Sequence, residues 1–359
     1  MWKFKLRMAR ARWDTAATGL ASAAELDQLV TLQAAYWRHN PPLVGSAAQR
    51  ALTALNHRSA SAFVCSVRGG RVQLWPKPAS GLGQASAVHR HEQQVFRRRA
   101  RMYRAFIEAT LRHSGATLDL DFALDVNDMP ADAADVPIFS FQKLRGAHNP
   151  LLPDVDFFHS RWYRDDRDSL RYEDKTATAC FVGASTGDWL TVVDIRHHQT
   201  PRLRAAAHFQ GDPRVVFKIA KAVHCLTEEA RAELLRQPYF SAYVPWQDQL
   251  RHRFILSMDG NGAACSRLVK GLRSNSVVVK FESPYELYYF AALRPGRDLL
   301  QANDEADLQR ILDDESASPG TYQAVARGGQ LFAQKYLTIR SVMAYTAGLL
   351  SAFAALSRA

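Results

Sequence analysis

The stretch Phe254-Ile255-Leu256-Ser257-Met258-Asp259-Gly260-Asn261-Gly262-Ala263-Ala264-Cys265-Ser266-Arg267-Leu268 decides the fold, together with Ser276-Val277-Val278-Val279-Lys280 and Ser283-Pro284-Tyr285-Glu286 downstream of it. Phe254 to Met258 is a short apolar run of strand length, and Asp259 to Gly262 is a turn with two glycines. Ala263 to Leu272 has helical spacing, and the β-branched run Ser276 to Lys280 is a strand. Ser283 as N-cap, Pro284 at N1 and Glu286 at N3 predict a second helix. Strand, helix, strand, helix is the signature of a parallel sheet whose ligands lie at the carboxyl ends of its strands.

These residues suit an anionic ligand. Two glycines let the backbone of Asp259 to Gly262 approach closely, and a helix opening at Ala263 presents unpaired N–H groups. Arg267, one turn in, offers a fork for bidentate phosphate contacts. Lys280 could meet phosphate and Glu282 could accept from ribose hydroxyls, since both stand where strand passes into loop. A packing turn, a surface arginine and a well-capped helix are the ordinary meanings of the same features.

Working outward, Ala177 to Val182 is a strand that runs into Gly183-Ala184-Ser185-Thr186-Gly187. Small hydroxyl residues between glycines suit a further phosphate or sugar contact, with Gly183, Ser185 and Thr186 as candidates. The segment lacks the lysine of a P-loop, which disfavours nucleoside-triphosphate hydrolysis. Arg214 to Ile219 is another strand. Upstream, Leu118 to Leu124 is a strand that leads into Asn127-Asp128-Met129-Pro130, and Pro137 to Phe141 follows. Asp128 there could deprotonate a hydroxyl, or simply form an Asx-turn. The first third is mainly helical: Ala21 to Trp37 ends at Asn40-Pro41-Pro42, and Phe96, Ala100, Tyr103, Ile107 and Leu111 share one helical face. Between these helices, Ala62 to Trp75 forms a hairpin about Gly69-Gly70.

The chain has 359 residues with 47% hydrophobic and 23% charged, a globular composition with room for two domains. Net charge is +11, which suits nucleic acid, an anionic membrane surface or a phosphorylated small ligand. Arg97-Arg98-Arg99 without interleaved aromatics reads as a solvated helix face, so no nucleic-acid partner is expected. Four cysteines, Cys65, Cys180, Cys225 and Cys265, show no pairing framework and are read as thiols in a reducing compartment. The basic N-terminus lacks an apolar h-region, and Val342 to Leu356 is the longest apolar stretch but short of a span; a cytoplasmic location is expected. Asp119-Leu120-Asp121, Asp154-Val155-Asp156 and Asp166-Arg167-Asp168 occur in unrelated contexts, and the histidines lack ligand spacing, so no metal is expected.

The blocks Asp259 to Leu268, Ser276 to Lys280 and Ser283 to Tyr285, in that order and spacing, resemble glycosyltransferase family 90. This group holds bacterial lipopolysaccharide-modifying enzymes, fungal capsule xylosyltransferases and Rumi-type protein O-glucosyltransferases. Lys175 with Phe181 to Gly187, Asn127 to Pro130, Pro153-Asp154 through Phe158 and Trp162, and Gly328 to Leu350 extend the resemblance to roughly residues 118–350. Val182 stands where many members carry Arg, and Asp298 where a His is common.

The resemblance implies an α/β, GT-B-type fold: two Rossmann-like lobes with a cleft between them, residues 1–170 on the acceptor side and 171–335 for the donor, with a helical segment 336–359 packing back. It implies inverting transfer of a hexose or pentose from a UDP-sugar, without cofactor or metal, to a hydroxyl. Asp128 would be the catalytic base. Gly183, Ser185, Thr186, Asp259, Gly260, Ala263, Arg267, Lys280, Glu282 and Ser283 would bind the donor. Asp154, Phe158 and Trp162 would face the acceptor. The bacterial branch fits best, with a lipopolysaccharide or other lipid-linked glycan as acceptor and peripheral contact with anionic lipid. An inactive nucleotide- or glycan-binding relative is the alternative.

Overall fold

A computed structural model describes residues 20–77, 87–155, 157 and 167–358. The chain divides into two compact units: residues 1–163, 285–292 and 335–359 form the first, and 164–284 with 293–334 the second. The division is not a single cut, because residues 285–292 return to the first unit.

The first unit opens with α1 (Ala23–His39), capped by Ser22, whose hydroxyl accepts from the Glu25 N–H while the Glu25 carboxylate accepts from the Ser22 N–H. Leu26, Leu29, Val30, Ala34 and Trp37 form its buried stripe. α2 (Gly45–Arg58) follows, then the hairpin β1 (Ala62–Arg68) and β2 (Arg71–Leu74). Gly69 and Gly70 have φ of 54° and 77°, the left-handed pair that a tight two-residue hairpin requires. The amphipathic α3 (Ala87–Ser114) buries Ala100, Tyr103, Phe106, Ile107 and Leu111 and exposes Arg97, Arg98, Arg101 and Arg104. β3 (Leu120–Asp125), β4 (Ile138–Phe139) and β5 (Lys143–Leu144) complete its first run. The four-stranded sheet has the order β2-β1-β3-β4, antiparallel except for the parallel pair β3–β4.

The second unit is built on β6 (Thr176–Ala184), α4 (Val192–Arg196), α5 (Pro201–His208), β7 (Val215–Lys221), α6 (Glu228–Leu235), α7 (Trp246–Gln249), β8 (His252–Ser257), α8 (Ser266–Leu272) and β9 (Val277–Phe281). After β10 (Tyr285–Glu286), which belongs to the first unit, it closes with β11 (Leu300–Ala302), α9 (Glu305–Ala317) and most of α10 (Gln323–Tyr336). Its five strands are all parallel, in the order β11-β9-β8-β6-β7. Counted along the chain that is the doubly wound order 2-1-3-4-5 read from its other edge, so the direction of winding reverses between β6 and β8. Apolar residues on both faces fill the core, as a sheet buried on both sides demands: Phe181, Phe254, Leu256 and Val279 in one cluster, Cys180, Val182 and Ile255 in another. Gly271 allows α8 close to the sheet, since a Cβ there would lie 2.7 Å from Val278 Cγ2.

Two expected helices differ. The first begins at Ser266 rather than Ala263, with Cys265 as an N-cap whose side chain makes no capping bond, so residues 260–264 are loop. The second, at Ser283, does not form. Tyr285 and Glu286 are extended and pair antiparallel with Leu144 and Lys143, and the Ser283 hydroxyl turns to Asp259 instead of capping a helix. Cross-strand pairing outweighs the local capping pattern.

The last helix, α11 (Ile339–Leu356), is long and apolar enough by length and composition to cross a membrane, which the shorter sequence window did not suggest. It buries Val342, Met343, Tyr345, Leu349, Leu350 and Phe353 within the first unit, packing on α1, α3 and β3. Tyr345 donates to the Leu151 carbonyl at 2.7 Å and stacks on Tyr288, and Phe353 meets Phe139 edge-on. The two units, the second doubly wound and parallel, make this an α/β protein; the sheet of the first unit is mainly antiparallel, where a second Rossmann-like lobe was expected.

Candidate functional site

The carboxyl ends of β6 and β8 flank the switch point of the second unit, where open α/β sheets receive ligands. β6 delivers Gly183 to Gly187 there and β8 delivers Asp259 to Ala263. Two guanidiniums occupy the same place. Arg202 enters from the first turn of α5, a position the sequence reading did not single out. It donates through Nη1 to the Ala184 carbonyl at 2.8 Å and to Thr186 Oγ1 at 2.6 Å, and through Nη2 to the Met258 carbonyl at 2.8 Å, so it ties the two loops together. Its Nε is buried without a partner. Arg267, half-buried on α8, donates to the Val182 carbonyl. Both guanidiniums lie against the Phe181 ring, 5.2 and 4.2 Å from its centre.

The charges here are poorly compensated. Burial, then repulsion from Arg267, lowers the Arg202 pKa to about 10, and burial likewise lowers that of Arg267. Among the described residues neither forms an ion pair with a carboxylate. Asp259 is near enough to act on Arg202 but is committed elsewhere: Lys280 Nζ donates to its Oδ1 at 2.6 Å and the Ser283 hydroxyl donates to its Oδ2. Two cations held in low dielectric without their own counter-charge form a site for an anion.

Glycines make room for this pair. A Cβ on Gly183 would lie 2.8 Å from the Phe181 ring and 3.2 Å from Arg267 Nη2. One on Gly260 would lie 2.3 Å from Thr186 Oγ1 and 3.0 Å from Arg202 Nη2. Gly183, Thr186, Asp259, Gly260, Ala263 and Arg267 are therefore brought to one end of the sheet.

Other expected donor residues take structural parts. The Ser185 hydroxyl donates to the Val223 carbonyl at 2.7 Å and accepts from the Val223 N–H at 2.9 Å, which fixes the loop rather than facing a phosphate. Lys280 is buried and bonded to Asp259 and to the Phe281 carbonyl. Glu282 is exposed and accepts from Gln301 Nε2 at 2.6 Å. Because α8 starts late, the N–H groups of Gly260 to Ala263 are loop amides and not a helix terminus. Val182 is a core residue of β6, and the guanidinium near this loop comes from Arg202. Asp298 is also buried, accepting from the Arg294 N–H and from Arg297.

In the first unit, buried Asp125 at the end of β3 accepts from the N–H groups of Asn127 at 3.0 Å and Ala131 at 2.9 Å. That clamp shapes the loop and presents Asp128, which is half-buried. Arg99 Nη1 donates to Asp128 Oδ1 at 2.9 Å and to the Val126 carbonyl at 2.8 Å, with its guanidinium over Phe141. Gln142 Nε2 donates to the Asp128 carbonyl at 2.5 Å, and the Tyr285 hydroxyl meets Met129 Sδ at 2.9 Å. The basic cluster on α3 thus divides: Arg97 and Arg98 are exposed, while Arg99 turns inward to the carboxylate. Asp154 is buried near Phe157, whose N–H donates to the Asp154 carbonyl at 3.0 Å. Phe158 and Trp162 lie outside the described residues. Of the Asp-x-Asp repeats, Asp121 pairs with Arg68 at 2.8 Å, and the four cysteines are free. Among the described residues no cluster of three or more His, Cys, Asp or Glu could hold a metal.

Comparison with solved structures finds weak likeness. The crystal structure of Anabaena HepE in complex with UDP and glucose matches at TM-score 0.32 and 12% identity, covering 50% of this chain and 49% of that one. The GtfA/B complex matches at TM-score 0.34 and 14% identity, covering 62% of this chain and 41% of that one. The chain therefore spans about half the length of the first of these structures. No curated protein sequence matches it. The sequence model of Glycosyl transferase family 90 matches residues 84–359, more than three quarters of the chain, and includes both the Asp128 loop and the arginine pair; the chain belongs to that family.

Proposed function

We propose that this protein is an inverting, metal-independent glycosyltransferase that moves a hexose or pentose from a UDP-sugar to a hydroxyl of a lipopolysaccharide or other surface glycan. The observation that carries the donor half is the pair Arg202 and Arg267, two buried or half-buried guanidiniums without carboxylate partners at the switch point of a doubly wound sheet. Such a pair supplies, from the protein alone, the positive charge that a leaving diphosphate requires. Each new phosphate contact would be a charge-assisted hydrogen bond to a guanidinium already fixed in place, with little reorganisation during the reaction. The buried Nε of Arg202 is an additional donor.

Asp128 is the proposed base. It takes the proton of the acceptor hydroxyl as that oxygen bonds to the anomeric carbon and the bond to UDP breaks on the opposite face. The Arg99 contact holds the carboxylate in one orientation. The charge of +11 and the exposed arginines of α3 favour an acceptor carrying phosphate and work at the anionic inner face of a membrane, as a peripheral cytoplasmic protein.

A panel of UDP-sugars assayed with EDTA present tests this reading, with UDP release and sugar transfer to deacylated lipopolysaccharide core as the readouts. Transfer by wild type that persists in EDTA is the expected result. Strict dependence on an added divalent ion, or retention of the donor's anomeric configuration, overturns the mechanism.

A further inference from the structure

Trp189 is 56% exposed, yet it is held in one place. Its indole stacks on the His224 ring, with centroids 5.0 Å apart and planes 27° from parallel. These two residues stand on the loops that leave β6 and β7, and those loops are laced together. The Ser185 N–H donates to the Lys221 carbonyl at 3.0 Å, the Ser185 hydroxyl is bonded both ways to Val223, and the Leu190 N–H donates to the His224 carbonyl at 2.8 Å. The Leu226 N–H then returns to the Leu190 carbonyl at 2.9 Å. His224 adopts φ of 59°, a left-handed conformation that costs a non-glycine residue energy and persists only where its surroundings impose it. An exposed indole backed by a strained, pinned imidazole is a preorganised flat surface.

Its place defines what it would bind. Thr186, which accepts from Arg202, is three residues before Trp189, so their Cα atoms are no more than about 11 Å apart. That is the reach of a nucleoside diphosphate from phosphate to base. In doubly wound sheets the nucleoside half runs from the switch point across the end of the second strand, here β7, whose exit loop carries His224. The geometry points to Trp189, backed by His224, as the stacking platform for the donor's nucleobase, with Arg202 and Arg267 taking the diphosphate. This rests on the donor site proposed above and adds the base subsite to it. Stacking alone tolerates any base, so it supplies affinity and orientation and leaves the choice of uracil to polar groups.

Calorimetric titration with two probes, UDP and inorganic pyrophosphate, tests the assignment on wild type, Trp189→Ala, Trp189→Phe and Arg267→Met. Trp189→Ala should bind UDP roughly five- to hundredfold more weakly, the cost of one lost base stack, and bind pyrophosphate as wild type does. Trp189→Phe should recover most of the UDP affinity. UDP should also quench the indole emission of wild type more than that of Trp189→Phe. Unchanged UDP affinity in Trp189→Ala, with both probes weakened in Arg267→Met, overturns the platform while the donor site stands. Equal weakening of UDP and pyrophosphate in Trp189→Ala assigns Trp189 to loop structure and also overturns it. If wild type binds neither probe, the donor site itself fails and the platform with it.

Discussion

Arg267→Met separates a binding charge from a structural one. Methionine keeps the apolar stem against Phe181 and removes a guanidinium whose bonded partner in the free protein is the Val182 carbonyl. Deleting one member of an ordinary buried ion pair costs about 3–5 kcal/mol, because the abandoned partner keeps its charge. Arg267 leaves no such partner, and its removal relieves the repulsion felt by Arg202. The lost carbonyl bond, about 1.5–3 kcal/mol for a charged donor, is opposed by release of the penalty for holding a cation away from water. The unfolding free energy of the free protein should therefore stay within about 2 kcal/mol of wild type. Donor binding should behave oppositely. One charge-assisted phosphate contact of about 1.5–3 kcal/mol predicts UDP binding weaker by roughly ten- to hundredfold. Calorimetry with UDP and EDTA reads the second quantity; thermal unfolding with and without UDP reads both, since UDP at 100 times its Kd should raise wild-type stability by about 2.7 kcal/mol. A variant that loses 3–5 kcal/mol while keeping UDP affinity would refute the reasoning, because Arg267 would then be neutralised within the fold.

Further substitutions probe the remaining parts. Asp128→Asn should lower turnover by about 10²–10⁴ with UDP affinity unchanged, and near wild-type kcat would remove Asp128 as the base. Gly260→Ala places a Cβ 2.3 Å from Thr186 Oγ1 and should cost about 1–3 kcal/mol along with UDP affinity, read from melting and calorimetry; an unaffected variant means the loops are not packed as described. Lys280→Met strands Asp259 and should cost about 3–5 kcal/mol in urea unfolding, largely recovered by adding Asp259→Leu; no recovery means Lys280 does more than neutralise Asp259. The Lys335 contact and the Ser22 N–H hold the Glu25 pKa down to about 2, well below its ordinary 4.5. A depressed carboxyl stabilises above its ordinary value and loses that contribution as pH falls toward its folded one. Melting curves of wild type and Glu25→Gln should thus differ above pH 4.5 and converge near pH 2. A constant gap across that range would show that the pair is not what stabilises α1.

The parallel sheet was legible because its strands are buried on both faces: Val277 to Val279 and Phe254 to Leu256 are apolar without alternation, and a glycine turn between them has few other uses. The family blocks carried the resemblance, and with it Asp128 and Arg267, because local motifs preserve spacing along the chain. What local pattern could not show is competition between partners distant in sequence. Ser283-Pro284-Tyr285-Glu286 satisfies every rule for a helix start, yet pairing with Lys143-Leu144 and the bond from Ser283 to Asp259 draw it into a strand. Lys280 looks like a phosphate ligand until Asp259 is seen beside it.

Arg202 illustrates the same limit from the other side. In the sequence it is one of two arginines in Pro201-Arg202-Leu203-Arg204, and about half a turn of helical phase separates the buried one from its exposed neighbour. Only the fold carries it under Gly260 and Thr186, against Phe181 and beside Arg267. Residue order revealed the parallel strands and the chemistry that their loops can carry, since propensity and motif are local properties, but not the strand at Tyr285-Glu286. Which charges find a carboxylate partner emerged only from the fold, because neutralisation depends on distances that the order of residues does not encode.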